Sequence, residues 1–158
     1  MKTDLITRDG YNKLKEELDY LWREYRPEIT KMVTRAASLG DRSENADYKE
    51  NKRLLRQIDS RVRYLRKRLE VLKVVDYSPE QEGRVFFGAW VEIENEDGQK
   101  MSFKIVGPDE IYKGAKDCIS IDSPMARALI KKEEGDDVLV STPSGPVEWV
   151  ILRIDYMA

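Results

Sequence analysis

Apolar side chains in the first half of the chain recur at helical spacing. Tyr11, Leu14, Leu18, Leu21, Tyr25 and Met32 form one stripe, and Trp22, Ile29 and Ala36 widen it. Tyr48, Leu55, Ile58, Val62, Leu65, Leu69 and Leu72 form a second stripe, with Asn51 as its one polar position. From Leu55 onward the steps alternate three and four, which is a heptad seam. Two such stretches joined by a short break predict an antiparallel helical hairpin. The break is Ser38-Leu39-Gly40-Asp41-Arg42-Ser43. Gly40 can take the left-handed conformation that ends a helix. Asp41 can then cap the next helix, with Glu44 completing a capping box. Pro27 removes a hydrogen bond to Arg23 inside the first stretch, at a cost of about 3 kcal/mol. It predicts a kink. Arms of about 30 residues would each be about 45 Å long, so the hairpin is expected to project as a rod.

After Asp76 the pattern changes. Asp76 to Gly83 is punctuated by Pro79 and Gly83 and reads as a linker. Beyond it the period becomes two. Arg84 to Glu94, Lys100 to Val106, Cys118 to Ile121, Asp137 to Ser141 and Val147 to Ile154 read as strands, and Glu96-Asp97-Gly98 as a hairpin turn. Ser123 to Lys132 reads as a helix, with Ser at its cap, Pro in its first turn and Lys at its end. The expected fold class is therefore α+β. A coiled-coil hairpin (1–76) and a linker (77–83) precede a small domain (84–158) built on a mostly antiparallel sheet with one helix. Trp90, Trp149 and Cys118 lie in apolar strand runs and are expected in its core.

Composition narrows the chemistry. The 158 residues contain no histidine and one cysteine. That excludes Ser-His-Asp and Cys-His triads, His-ligated metals, an internal disulfide and a cysteine-based zinc site. No apolar run approaches the roughly 18 residues of a membrane span, and the first ten residues are too polar for a secretory signal. A cytoplasmic location is expected, with no membrane partner. The net charge of −2 hides a split. Residues 1–76 carry 19 basic and 14 acidic side chains, and residues 77–158 carry 9 and 16. Such asymmetry suggests that the first half meets a polyanion.

Three clusters could carry function. At the expected hairpin tip, Asp41, Glu44 and Asp47 fall within seven residues. A capping box explains Asp41 and Glu44 at this spacing, with Asp47 a solvated first-turn acid. Alternatively, two hard carboxylates could hold Mg²⁺, but only weakly unless a partner completes the site. Along the second helix, Lys49, Lys52, Arg53, Arg56, Arg63, Arg66 and Lys67 occupy b, e and f positions. The b and f positions point away from the partner helix. A solvated face is one reading and a phosphate-binding stripe the other. Aromatics are scarce along that stripe, which argues against base stacking as its main mode. Asp122-Ser123-Pro124 is a strand-to-helix junction, or else an acidic contact for a basic partner.

The segment Gly40-Asp41-Arg42-Ser43-Glu44-Asn45-Ala46-Asp47-Tyr48 resembles the signature of the bacterial Gre transcript cleavage factors. Ser123-Pro124-Met125-Ala126-Arg127-Ala128-Leu129 resembles their second signature, and the order of hairpin, linker and small domain matches. Leu21-Trp22-Arg23-Glu24, Tyr77-Ser78-Pro79 and the long basic stripe are similar to the B-type branch. The resemblance implies an FK506-binding-protein-like second domain. It also implies an accessory factor, not an enzyme, that enters the secondary channel of bacterial RNA polymerase backtracked on its template. Asp41 and Glu44 would help the polymerase hold a second Mg²⁺ and an attacking water, so that the extruded RNA 3′ end is cut. No tightly bound cofactor is implied, only Mg²⁺ within that complex. The basic stripe would guide RNA, and Asp122, Ser123 and Pro124 would dock on the polymerase. DNA is a further candidate partner, and a monomer is expected. Two rival readings stand beside this one. One is a channel regulator without cleavage activity, and the other is a coiled-coil arm that binds RNA or DNA directly.

Overall fold

The computed structural model describes residues 3–39, 45–111 and 117–156. The chain divides into two compact units. One contains residues 11–72, and the other contains residues up to Gly10 together with Lys73 onward.

The helical unit holds α1 (Arg8–Tyr20, whose first turn belongs to the other unit), α2 (Arg26–Ala37) and α3 (Ala46–Val71). The expected hairpin is present. Ion pairs Glu17–Arg61 (2.6 Å) and Arg26–Asp59 (2.7 Å) show the strands of helix running antiparallel. Exposed pairs of this kind contribute about 0.2–1 kcal/mol each, so the apolar seam carries most of the association. Its centre is Ile29, Ile58 and Val62, with Leu18, Leu21, Tyr25, Val33, Leu54 and Leu55 packed around them. Asn51 satisfies its amide on its own helix, donating to the Asp47 carbonyl at 2.9 Å.

The first arm departs from the expected pattern at Pro27. A π-helical turn, Leu21–Tyr25, separates α1 from α2, and the Arg26 N–H donates to the Leu21 carbonyl. Tyr25 and Arg26 stay in the right-handed helical region, so the helix does not break. A π turn takes up one extra residue. The seam shows this directly. Up to Tyr25 it steps alternately by three and four. A strict continuation would use residues 28 and 32, but Ile29, Val33 and Ala36 face the partner instead. Met32, expected in the stripe, is 40% exposed, and Trp22 is 46% exposed. The extra residue in the turn accounts for Met32, whereas Trp22 stands one position past the seam residue Leu21, on the flank of the stripe.

In the other unit, β3 (Trp90–Asn95), β4 (Lys100–Val106), β5 (Cys118–Ser120), β6 (Asp137–Thr142) and β7 (Gly145–Asp155) form a five-stranded sheet in the order β5-β4-β3-β7-β6. Only the β4–β5 pair is parallel. Helix α4 (Pro124–Leu129) closes one face through Ala126 and Leu129. The core beneath it includes Val91, Ile93, Phe103, Ile105, Val140, Trp149 and Ile151. The α+β class is as expected. Trp149 is in the core, whereas Trp90 is half-buried and points to the opposite face from Val91. Cys118 is half-buried because β5 is an edge strand. The strand expected from Arg84 begins only at Trp90, because Gly88 (φ 89°) turns the chain just before it.

Two strands escaped the sequence pattern. Leu5–Thr7 (β1) pairs in parallel with Lys73–Val75 (β2), Leu5 opposite Lys73 and Thr7 opposite Val75. This pair moves residues 3–10 and 73–76 out of the expected hairpin and into the second unit. Glu110 fastens it. Its carboxylate accepts the Thr7 N–H (3.0 Å), the Thr7 hydroxyl and the Gly107 N–H (2.9 Å). The Thr7 hydroxyl oxygen in turn accepts the Gly10 N–H at 3.1 Å, as a first-turn cap of α1. The fit requires glycine twice. A Cβ on Gly107 would overlap the Leu5 carbonyl, and one on Gly10 would overlap the Glu110 side chain. Glu110→Ala would leave the buried Thr7 and Gly107 amides without an acceptor. A stability loss of about 1–3 kcal/mol is expected, read as a lower urea midpoint at unchanged slope. An unchanged midpoint would show that the clasp is dispensable.

Candidate functional site

The tip acids Asp41 and Glu44 lie outside the described residues. What the structure does describe is the helix start on which their alternative explanation depended. Helix α3 begins at Ala46, and its cap is Asn45. The Asn45 side-chain oxygen accepts the Tyr48 N–H at 3.0 Å, three residues on, as a capping side chain does. Its amide nitrogen donates to the Ala36 carbonyl at 2.7 Å, one of the orphan acceptors at the end of α2. One side chain therefore serves the end of one helix and the start of the next. The sequence pointed to Asp41 for this role. Asn is as good a capping residue, so composition alone could not choose between them. Asp47 lies in the first turn of α3 and is exposed, as expected.

The basic stripe is on the surface of α3, but its members differ. Arg53 is paired with Glu50 three residues before it, which lowers the Glu50 pKa through their hydrogen bond. The Lys52 ammonium stands 5.9 Å from the centre of the Tyr48 ring. Lys49, Arg56, Arg63 and Lys67 are exposed, with no ion pair to a described residue. Arg66 is different again. Its guanidinium lies 4.5 Å from the centre of the Trp22 ring on the facing arm, where Arg26 also approaches at 5.3 Å. Pattern reading had put Trp22 at the edge of the seam. Trp22 lies in the π turn, whose one trace in the sequence is the one-residue step in the apolar pattern.

The third cluster is partly occupied. Ser123 caps α4, accepting the Ala126 N–H at 3.2 Å, which is its structural reading. Pro124 is exposed in the first turn. The Asp122 carboxylate accepts both the Thr3 N–H (2.9 Å) and the Thr3 hydroxyl. Asp122 thus fastens the segment ahead of β1, much as Glu110 fastens Thr7. Among the described residues no group of three metal-ligating side chains comes together.

The hydrogen bonds from Thr3 hold the Asp122 pKa below the ordinary carboxylate value. A depressed folded-state pKa contributes stability that is present above the unfolded value, near 4, and lost as pH falls through the folded value. Asp122→Asn should therefore be less stable than wild type at pH 7. The gap should narrow as pH drops below about 4, where the wild-type carboxylate takes up its proton. Urea unfolding at stepped pH reads this. A gap independent of pH would assign the loss to packing.

Comparison with known proteins bears on both units. A family model described as "Transcription elongation factor, N-terminal" matches residues 4–74, and one described as "Transcription elongation factor, GreA/GreB, C-term" matches residues 80–156. Transcription elongation factor GreB of Vibrio vulnificus is 71% identical over 99% of this chain and 98% of its own length. GreB of Pseudomonas putida is 69% identical over 99% and 96%. Among solved structures the chain is similar to Thermus aquaticus Gfh1, at 26% identity and a TM-score of 0.43, covering 98% of this chain and 99% of that one. The relatives are named as elongation factors and not as enzymes. Both units are matched in order and over nearly the whole chain, and the chain belongs to the GreA/GreB family of transcription elongation factors, on its GreB side.

Proposed function

We propose that the protein binds backtracked bacterial RNA polymerase through its secondary channel and stimulates the polymerase's own cleavage of the extruded RNA 3′ end. Family membership supports the setting, and one observation supports the chemistry. The start of α3 is capped by Asn45, so the helix does not call on Asp41. That weighs against a capping role for Asp41 at this helix and in favour of the catalytic reading.

The donor chemistry fits the assignment. Asp41 and Glu44 supply hard carboxylate oxygens that are ionised at neutral pH and suit Mg²⁺. Two such ligands are too few to retain the ion, so the polymerase must provide the rest of its shell. When bound there with the polymerase, the ion would supply Lewis-acid chemistry toward the phosphate and the attacking water. This chain's residues hold and orient, and it needs no histidine to do so. Lys49, Lys52, Arg53, Arg56, Arg63, Arg66 and Lys67 would contact RNA phosphates, which fixes position without reading sequence. Asp122, Ser123 and Pro124 would form part of the docking surface, with Pro124 the most accessible. The protein would act as a monomer in the cytoplasm. No described helix is long and apolar enough to cross a membrane.

The test is a purified backtracked elongation complex with labelled RNA. Asp41→Ala and Glu44→Ala should bind the polymerase like wild type. Stimulated cleavage should fall by at least about 10–100-fold, the cost of losing even an indirect metal partner. Variants that still stimulate cleavage would remove the tip acids from the mechanism. A wild-type protein that binds, alters initiation and leaves the RNA uncut would favour the channel-regulator reading.

A further inference from the structure

The geometry points to Trp22 and Arg66 as a joint station for single-stranded RNA on the flank of the hairpin, where the Arg66 guanidinium takes a phosphate and the open part of the Trp22 ring stacks on the adjoining base. It rests on the reading above and adds a base contact to a stripe otherwise read as contacting phosphates only.

Three observations carry it. First, Trp22 is 46% exposed, although its neighbours Leu21 and Tyr25 pack into the seam. Trp22 lies inside the π turn Leu21–Tyr25, and π turns occur often at functional sites. Second, the two cations beside the ring are not equivalent. Arg26 is paired with Asp59 at 2.7 Å, whereas Arg66 has no carboxylate partner among the described residues. A guanidinium laid against an aromatic ring keeps its N–H fork outward and loses less freedom when it binds a phosphate. Third, Arg63 and Lys67 flank Arg66 on α3, both exposed and without an ion pair to a described residue. The local field favours a polyanion. The exposed ring favours one whose bases are unstacked, hence a single strand over a duplex.

The station lies about 30 Å along α3 from its first residue, at 1.5 Å per residue. Only an RNA extruded far enough to run along the arm would reach it. Trp22 would therefore discriminate by length of extrusion, not by sequence.

The test uses the full chain and a labelled, unstructured 15-nucleotide RNA, with the matching duplex as control, followed by anisotropy over a range of salt. The single strand should bind more tightly than the duplex. Trp22→Leu should weaken it by about 5-fold or more, the lower end of what one base stack contributes, with the salt dependence unchanged. Trp22→Phe should restore most of the loss. Arg66→Gln should reduce the slope of log affinity against log salt by about 0.7, one phosphate contact to a single strand. A Trp22→Leu protein that binds like wild type, a preference for duplex, or no binding of free RNA would each overturn the assignment. If Trp22→Leu fails to fold, the Phe variant and the Arg66→Gln slope still decide. RNA binding as described, with no stimulated cleavage in the backtracked complex, would sink the cleavage reading and leave this one standing. Stimulated cleavage with RNA binding insensitive to Trp22 would do the reverse.

Discussion

The parallel pair β1–β2 is the constraint on which the rest depends. These two strands are only three residues each, and they lie at the two places where the chain passes between its units. A strand pair of this length has too little area to hold itself together. It persists because side chains and backbone from the larger sheet's loops complete it. Glu110 closes on Thr7 and Gly107, Asp122 closes on Thr3, and two glycines allow the backbones to meet. The consequence is topological. Strands that pair with each other lie next to both ends of residues 11–72, so the chain enters and leaves the helical unit at neighbouring points.

Within that hairpin the packing problem is one of register. An alternating three-four seam keeps its apolar side toward the partner only while no residue is added. Between Leu21 and Ile29 the first arm uses two successive steps of four, and a single π turn absorbs the surplus. The same turn lies immediately ahead of Pro27. Pro27 has no N–H to give, and the nearby Arg26 N–H is satisfied by an i to i−5 bond instead. Register shift and proline therefore coincide in one local event, in the turn that also carries Trp22. Its cost is carried by the buried seam on either side of it, Leu18 and Leu21 before and Ile29 and Ala36 after.

How much of this was legible in the sequence follows from how local each feature is. The seam of α3, the strand Lys100–Val106 and the cap at Ser123 depend on neighbours within a few residues, and the pattern places them correctly. β1 and β2 are too short for an alternation to register. Their pairing joins residues almost seventy apart, and Glu110 reaches Thr7 across 103 residues of chain. No local spacing reports that. The tip is a subtler case. Asp41 and Asn45 are equally good caps by chemistry, and only the observed start of α3 at Ala46 separates them. Asp122 shows the opposite limit. Its type and position were noted, but its partner Thr3 lies at the far end of the sequence.

The distribution of charge follows from these uses. In the helical unit, acids are placed against the basic residues nearest the seam: Glu17 on Arg61, Asp59 on Arg26. On α3 itself Glu50 answers Arg53. Arg63, Arg66 and Lys67 are left without a described carboxylate, on the outer surface of the same helix. Like charges left side by side on a helix destabilise it by a few tenths of a kcal/mol per pair. A protein that needed only solubility could have spread its 14 acids in residues 1–76 to cancel that repulsion. Keeping the repulsion makes sense where a polyanion relieves it, because release of that strain adds to binding. The net charge of −2 is then the sum of two surfaces with separate tasks. The basic arm carries the surface proposed above to meet RNA phosphates, and the acidic unit uses Asp122 and Glu110 to hold its own strands.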